Sequence, residues 1–259
     1  MYEFIKYDKA DGVGTITLNR PEVYNAFNDG LTFELQGILK EVSKDPEVRV
    51  VVITGEGKAF CSGQDLKDAS KMENKSFSES LHKRYNPMIR PIRTMEKPVI
   101  CRLNGVAAGA GCSLALACDL IIASENASLI EVFVNIGLVL DSGSTYFLPR
   151  LVGYSKAFEL ATMGPKIGAR EAAELGLVNK VVAAEELDDA VKQFTDYYAK
   201  APTKAIGLMK KMLNKSYGMN LDEVLEYEAY CQEIAGGSHD YKEGVQAFLE
   251  KRKPEFKGN

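Results

Sequence analysis

Histidine is nearly absent: the 259 residues hold two, His82 and His239, far apart in the chain. A zinc site draws on several histidine or cysteine ligands, and a Ser-His-Asp triad needs a histidine beside its nucleophile. Both chemistries are poorly supported, and no metal is expected. Cysteine is also sparse, with five residues, an odd number, and no CxxC pair. Cys61, Cys101, Cys112 and Cys118 lie in apolar or glycine-rich runs, which reads as buried thiols in a reducing compartment. No apolar run reaches the about 18 residues that suggest a transmembrane helix. The start, Met1-Tyr2-Glu3-Phe4-Ile5-Lys6, lacks a basic region followed by an apolar one, so no signal peptide is expected. A net charge of −4 gives no bulk attraction to nucleic acid or an anionic membrane. No run matches GxxxxGK[ST] or GxGxxG, which disfavours a phosphate-binding loop. Internal repeats and low-complexity segments are also lacking. A cytoplasmic protein is the expectation.

What is there is ordinary for a globular chain: 46% hydrophobic and 26% charged residues, enough for a full core. Residues 4–7 and 13–18 read as a hairpin around Asp11-Gly12. Asn28 or Asp29 caps a helix with Leu31, Leu35, Ile38, Leu39 and Val42 on one face. Short apolar strands are expected over 50–54, 99–103, 120–123, 129–133 and 178–182. Helices are expected over 114–117, 155–162, 169–174 and 185–200. Strands alternating with helices argue for an α/β architecture with right-handed crossovers. From residue 201 the pattern is only helical, over 203–213, 221–234 and 241–251. The polar stretch 65–84 has no clean periodicity.

Two small-residue turns carry the first chemical signal. One is Lys58-Ala59-Phe60-Cys61-Ser62-Gly63-Gln64-Asp65-Leu66, the other Gly109-Ala110-Gly111-Cys112. Each follows a strand, and the second leads into a helix, whose N-terminus offers unpaired N–H groups. Glycine lets a ligand approach the backbone closely. Two such turns side by side would aim two N–H groups at one oxygen, the design of an oxyanion hole. Plain loop chemistry or tight helix–sheet packing explains either turn equally well when it is taken alone.

The run 58–66, the run 104–119, Asn19-Arg20-Pro21-Glu22 with Asn25-Ala26, and the ending 243–254 together resemble the crotonase (enoyl-CoA hydratase/isomerase) superfamily. The resemblance covers essentially the whole chain, with the motifs in the family's order. It implies a crotonase-like α/β spiral of repeated ββα units over 1–200 and a C-terminal helical trimerisation region over 201–259. The assembly it implies is a homotrimer or homohexamer. The substrate it implies is an acyl-CoA, which carries coenzyme A itself, so no separate cofactor is expected. In this resemblance the amides of Gln64 and Ala110 form the oxyanion hole for the thioester carbonyl. Coenzyme A runs along Val23, Ala26, Lys58, Ala59, Ser62, Gln64 and Leu66. Phe248 and Lys251 of a neighbouring subunit touch its nucleotide end; on pattern alone they read as helix packing and a solvated face.

Family hydratases hold water with two glutamates, and this chain has neither. Ser113 stands in Gly111-Cys112-Ser113-Leu114 where the hydratase motif has glutamate, and Val132-Phe133 stands where it has Pro-Glu. Neither a serine hydroxyl nor a phenyl ring replaces a carboxylate base, and such acid–base help is worth about 10²–10⁴-fold. Asp141 offers another carboxylate, in an apolar stretch before a helix. From pattern alone it is equally an N-cap. The run 137–150 with Tyr85-Asn86-Pro87-Met88 resembles the branch that isomerises ring-1,2-epoxyphenylacetyl-CoA, in which the matching aspartate moves a proton on an enolised acyl-CoA. Leu140, commonly proline, and Ser144, commonly glycine, depart from that pattern. Burial among Leu138, Val139, Leu140 and Phe133 is expected to raise the Asp141 pKa. On a strand over 129–133, Glu131 and Phe133 share a face, which makes Glu131 a second candidate, against a surface or ion-pair role. The expected activity is an acyl-CoA isomerase acting on ring-epoxide phenylacetyl-CoA or a Δ3-unsaturated acyl-CoA, in phenylacetate or fatty-acid degradation. The alternatives are an enoyl-CoA hydratase and a non-catalytic acyl-CoA-binding trimer.

Overall fold

A computed structural model describes residues 2–69 and 76–259. Met1 and the part of the polar stretch at 70–75 lie outside the described residues. The chain opens with a hairpin, β1 (Ile5–Ala10) and β2 (Val13–Leu18), whose turn uses Asp11 and Gly12 at positive φ. That is the backbone a two-residue hairpin turn demands. Helix α1 (Asp29–Lys44) follows, capped by the Asn28 side chain, which accepts the Leu31 N–H at 2.8 Å. The five apolar residues expected on its inner face are all buried.

The next part is built from strand pairs, each followed by helix. Strands β3 (Val50–Gly55) and β4 (Ala59–Cys61) lead to the short helices α2 (Leu66–Ala69) and α3 (Phe77–Ser80). A π turn, Leu81–Tyr85, joins these to α4 (Asn86–Thr94). Strands β5 (Val99–Leu103) and β6 (Val106–Ala108) lead to α5 (Ala110–Ala117). Strands β7 (Leu120–Ser124) and β8 (Ser128–Ile130) are followed by a 3₁₀ turn, Val132–Ile136, and then α6 (Ser144–Met163), which kinks at Gly153. Of each pair, the first strand joins a six-stranded sheet, β1-β2-β3-β5-β7-β10, and the second joins a four-stranded sheet, β4-β6-β8-β9. Strands β9 (Ile167–Gly168) and β10 (Lys180–Val182), joined through helix α7 (Ala169–Glu174), complete the two sheets. The sequence shows no repeat, yet the fold repeats this ββα unit, since shape needs only short apolar strands and small turns.

Except for β1, the larger sheet is parallel, and its central strand β3 is buried on both faces, as the interior of a parallel sheet requires. Val51 and Ile53 face the main core, while Val50 and Val52 pack with Ile100 and Ile122 under α8 (Leu187–Tyr198). Helices α9 (Thr203–Ser216), α10 (Leu221–Gly236) and α11 (His239–Glu250) end the chain. The first is anchored by buried Lys210, whose ammonium donates to Asp119 and to the Ile92 carbonyl, each at 2.6 Å. Among the described residues, no helix is long and apolar enough to cross a membrane. All five cysteines are free and buried.

The structure corrects two local expectations. Ala59–Cys61 and Val106–Ala108 are strands rather than parts of loops; three residues are too few to show an alternating pattern. The strand expected over 129–133 stops at Ile130.

Candidate active site

The smaller sheet places the two glycine turns side by side. Parallel strands β4 and β6 pair Ala59 with Val106 and Cys61 with Ala107, so the chain leaves both at the same end. Gly63 and Gly109 both take positive φ, 89° and 51°, where a side chain is strained. A Cβ on Gly63 would lie 2.7 Å from the Ala108 carbonyl oxygen and 3.5 Å from the Ala110 nitrogen, so the turns touch backbone to backbone. Phe27 N–H donates to Gly63 O at 2.7 Å, and Asp65 N–H donates to Phe27 O at 3.0 Å. That parallel bridge turns the N–H of the intervening Gln64 away from Phe27. Ala110 opens α5, so its N–H has no acceptor inside the helix. Among the described residues, neither the Gln64 nor the Ala110 N–H finds a hydrogen-bond acceptor.

Polar side chains that the sequence reading quoted only as motif letters hold these turns. Asn25, buried and at positive φ, donates to the carbonyls of Glu56 and Ala59 at 3.0 and 2.9 Å, and accepts the Arg20 N–H. Arg20 binds the Ala26 carbonyl at 2.6 Å and the Asp65 carboxylate at 3.1 Å. Asn104 accepts the Gly55 N–H and donates to the Ala59 carbonyl. The motif 19–26 thus staples the segment 56–65 from one side, and Asn104 from the other. Tyr85 belongs to the same frame: its buried hydroxyl donates to the Gln64 side-chain carbonyl, and its ring packs edge-on against Phe27. The Gln64 amide group, held also by the carbonyls of Phe27 and Asp65, is thereby turned into the structure.

The third strand of this sheet, β8, brings the carboxylates. Gly109 N–H donates to Ile130 O at 2.9 Å, so Glu131 lies beside the second turn. Val132 and the Phe133 ring close over Gly109. Glu131 is 4% exposed and forms no ion pair among the described residues, which corrects the surface or ion-pair reading. Its Oε1 accepts the Ser144 hydroxyl at 2.8 Å, while its buried Oε2 has no hydrogen-bond partner among the described residues, with the Cys112 thiol beside it. Burial, reinforced by the nearby Asp141 charge, pushes the Glu131 carboxyl up to about 7.

Asp141 is not the N-cap of α6. Gly143 occupies that position, and the helix start has no side-chain cap. Instead the Asp141 carbonyl accepts the Ser144 N–H at 3.0 Å, and the Ser142 hydroxyl donates to its carboxylate at 2.7 Å. Burial raises the Asp141 carboxyl above the ordinary aspartate range, against the lowering effect of that hydroxyl. The expected source of burial needs correction, since Val139 is 85% exposed and Leu138 is exposed too. The groups whose charge states couple to Asp141 are Glu131 and Tyr85. Ser113, fully buried in α5, contacts the carbonyls of Asp141 and Gly109 at 3.1 and 3.3 Å and so ties the Asp141 loop to the second turn.

Of the remaining expected residues, Val23, Ala26, Ala59 and Ser62 line the stapled segment, and Ser62 donates to Val23 O at 3.3 Å. Lys58 and Leu66 are exposed. Phe248 is 82% exposed on α11, and Lys251, also exposed, is its left-handed C-cap, so within one chain Phe248 is not the helix-packing residue its pattern allows. A cleft of about 290 Å³ near α6 and α9, lined by Arg93, Asp119, Arg150 and Tyr217 among others, contains none of the expected site residues.

The enoyl-CoA hydratase/isomerase family model matches residues 8–259. The chain is 42% identical to 1,2-epoxyphenylacetyl-CoA isomerase of Escherichia coli (strain K12), over the full length of both proteins. It is 38% identical to the crotonyl-CoA hydratase of Syntrophomonas wolfei, with 98% of each chain covered. Its fold superposes on the crystal structure of an enoyl-CoA hydratase from Bacillus anthracis with a TM-score of 0.95 at 35% identity, covering 99% of this chain and all of the other. From the stapled glycine turns through the repeated ββα architecture to these full-length matches, the chain belongs to the enoyl-CoA hydratase/isomerase family and has its crotonase fold.

Proposed function

We propose that this chain is an acyl-CoA isomerase that moves a proton on a thioester enolate, with Asp141 as the base. The observation that carries the proposal is the pairing of two unengaged N–H groups, on Gln64 and Ala110, with a buried carboxylate whose loop is tied to the same turn through Ser113. Two N–H groups aimed at a thioester oxygen stabilise the negative charge that appears when a neighbouring carbon loses its proton. Asp141, raised toward neutrality by burial, accepts that proton more readily than an ordinary aspartate and still returns it. On a Δ3-unsaturated acyl-CoA, Asp141 takes a proton from C2, the electrons shift into a dienolate held by the two N–H groups, and Asp141, whose acquired proton exchanges with solvent, returns a proton at C4, or at C2 when the step reverses. The double bond then stands between C2 and C3. The ring-epoxide of phenylacetyl-CoA is the other substrate class that the 42% identical isomerase supports.

Coenzyme A belongs to the substrate on this reading, and no separate cofactor takes part. It runs along Val23, Ala26, Lys58, Ala59, Ser62 and Leu66, while Ser113, Glu131 and Phe133 border the acyl end. The exposed apolar side chains of the last three helices, among them Leu213, Leu225, Val245 and Phe248, support a homotrimer or a pair of trimers. Phe248 and Lys251 then reach the nucleotide end of a neighbour's coenzyme A. The place of work is the cytoplasm, in phenylacetate or fatty-acid degradation.

Hydration is the nearest alternative, and one observation favours it: Glu131 titrates near neutrality beside Asp141, so two carboxyls serve one site. Incubation of a panel of acyl-CoA esters in deuterated water, with crotonyl-CoA included, separates the readings. Isomerase action exchanges α-protons and shifts the double bond of a Δ3 ester. Water addition to crotonyl-CoA, which places a solvent deuteron at C2 and OD at C3, with no shift of the double bond of a Δ3 ester makes the chain a hydratase. Binding with no reaction at all makes it an acyl-CoA carrier and refutes the proposal.

A further inference from the structure

Glu131, Ser144 and Ser113 come from three separate segments and form one hydrogen-bonded row inside the protein. Ser144 Oγ lies 2.8 Å from Glu131 Oε1, and Ser113 Oγ lies 2.8 Å from Ser144 Oγ. Ser113 Oγ also lies 3.1 Å from the Asp141 carbonyl oxygen and 3.3 Å from that of Gly109. Both serines are fully buried, so bulk water does not compete for them.

A hydroxyl has one proton to donate, and an ionised carboxylate can only accept. The row therefore has a direction, set at its carboxyl end. With Glu131 ionised, Ser144 donates to Oε1 in a charge-assisted bond. Ser144 Oγ then draws the Ser113 proton, and the Asp141 carbonyl keeps only the Ser144 N–H, at 3.0 Å. With a proton on Oε1, Glu131 donates to Ser144, Ser144 donates to Ser113, and the Ser113 proton turns to the Asp141 carbonyl. This extra tie falls on a loop in which Ser142 and Gly143 both take positive φ.

We infer that Glu131 is a positioning residue acting through Ser144 and Ser113: its protonation reverses the row and fastens the Asp141 loop to the first turn of α5. The groups facing Glu131 are the Cys112 thiol of α5, the Asp141 carboxylate and the Ser144 hydroxyl. On its other side a small cavity is closed by Leu148, Leu160, Pro165, Ile167 and Leu177, which do not titrate. Burial among these groups holds the Glu131 carboxyl at about 7, so both directions of the row are populated near neutral pH. The inference rests on Asp141 as the base. Proton abstraction then rises with Asp141 ionisation on the acidic limb and falls on the alkaline limb as Glu131 loses its proton.

The test is the pH profile of α-proton exchange with a Δ3-hexenoyl-CoA probe, for the wild type, Glu131→Gln, Ser144→Ala and Asp141→Asn. Glutamine can donate to Ser144 at every pH, so Glu131→Gln loses the alkaline limb near 7. Ser144→Ala breaks the row, loses the same limb, and lowers the plateau on the order of five-fold, the worth of one neutral hydrogen bond. An unchanged limb in Glu131→Gln overturns the inference, and so does loss of exchange at every pH in that variant. Infrared difference spectra between acid and alkaline samples provide a readout without turnover. A protonated-carboxyl band that titrates near neutrality, is missing in Glu131→Gln, and titrates higher in Ser144→Ala supports the row; its absence from the wild type overturns it. Asp141→Asn judges the base separately: retained exchange there refutes the isomerase reading, while the infrared result stands on its own.

Discussion

Replacing Glu131 with glutamine should change how stability depends on pH, and the structure sets the size of the change. The folded carboxyl titrates at about 7 and the unfolded one near its ordinary 4.5. The folded state therefore holds its proton more tightly. Below 4.5 both states are protonated and the group is neutral in its effect. As pH rises from 4.5 to about 7, the unfolded chain ionises first and stability falls; above that it levels off. The full loss is about 3 kcal/mol, of which about 2–3 kcal/mol falls between pH 5 and pH 8. Glutamine carries no charge and removes the slope, while its amide costs on the order of 1 kcal/mol wherever it lacks a partner for its second donor. That cost does not vary with pH, and neither do the contributions of groups common to both proteins. Urea unfolding at matched protein concentration, at pH 5 and pH 8, measures the difference. The variant should gain about 2–3 kcal/mol on the wild type between the two conditions. Parallel pH dependence of the two proteins refutes a buried, partly unpartnered Glu131 carboxyl.

Ala110→Pro removes the N–H at the start of α5 and should cost about 10²–10³ in α-proton exchange, while near-normal exchange rules out this residue as an oxyanion donor. Gly63→Ala puts a Cβ 2.7 Å from the Ala108 carbonyl at a φ of 89°, so thermal unfolding should show a loss of about 1–3 kcal/mol, and an unchanged Tm contradicts the contact between the turns. Sedimentation should show a trimer or hexamer; a stable monomer that binds coenzyme A esters normally contradicts the assigned role of the last helices.

The parts legible in the sequence are those with a strong local cause. Asn28 and the α1 face follow from capping and helical spacing, and β3 and β5 from dense β-branched runs. The glycine turns were visible as turns, but their contact was not, because it depends on two three-residue strands, β4 and β6, pairing across a register shift between Ala59 and Cys61. Glu131 misled for a related reason. A lone glutamate within a short apolar run reads as a surface or ion-pair group, and its burial depends on Ser144 and Cys112 arriving from other segments. Tyr85 lies at the end of a π turn, just past the polar stretch 65–84, and no periodicity announces that its hydroxyl reaches Gln64. Asp141 was legible through family resemblance and not through spacing, since an aspartate just before a helix reads equally as a cap.

The central claim is that Asp141 moves the proton. Asparagine is nearly isosteric with aspartate, and the Asp141 carbonyl contacts to Ser144 N–H and Ser113 belong to the main chain, so Asp141→Asn should keep its fold and bind acyl-CoA. An amide cannot accept the proton. In deuterated water, with a Δ3-unsaturated or phenylacetyl thioester, Asp141→Asn should lose α-proton exchange and isomerisation at every pH, while Glu131→Gln loses only the alkaline limb. The reverse order of damage, with exchange intact in Asp141→Asn and abolished in Glu131→Gln, contradicts the account.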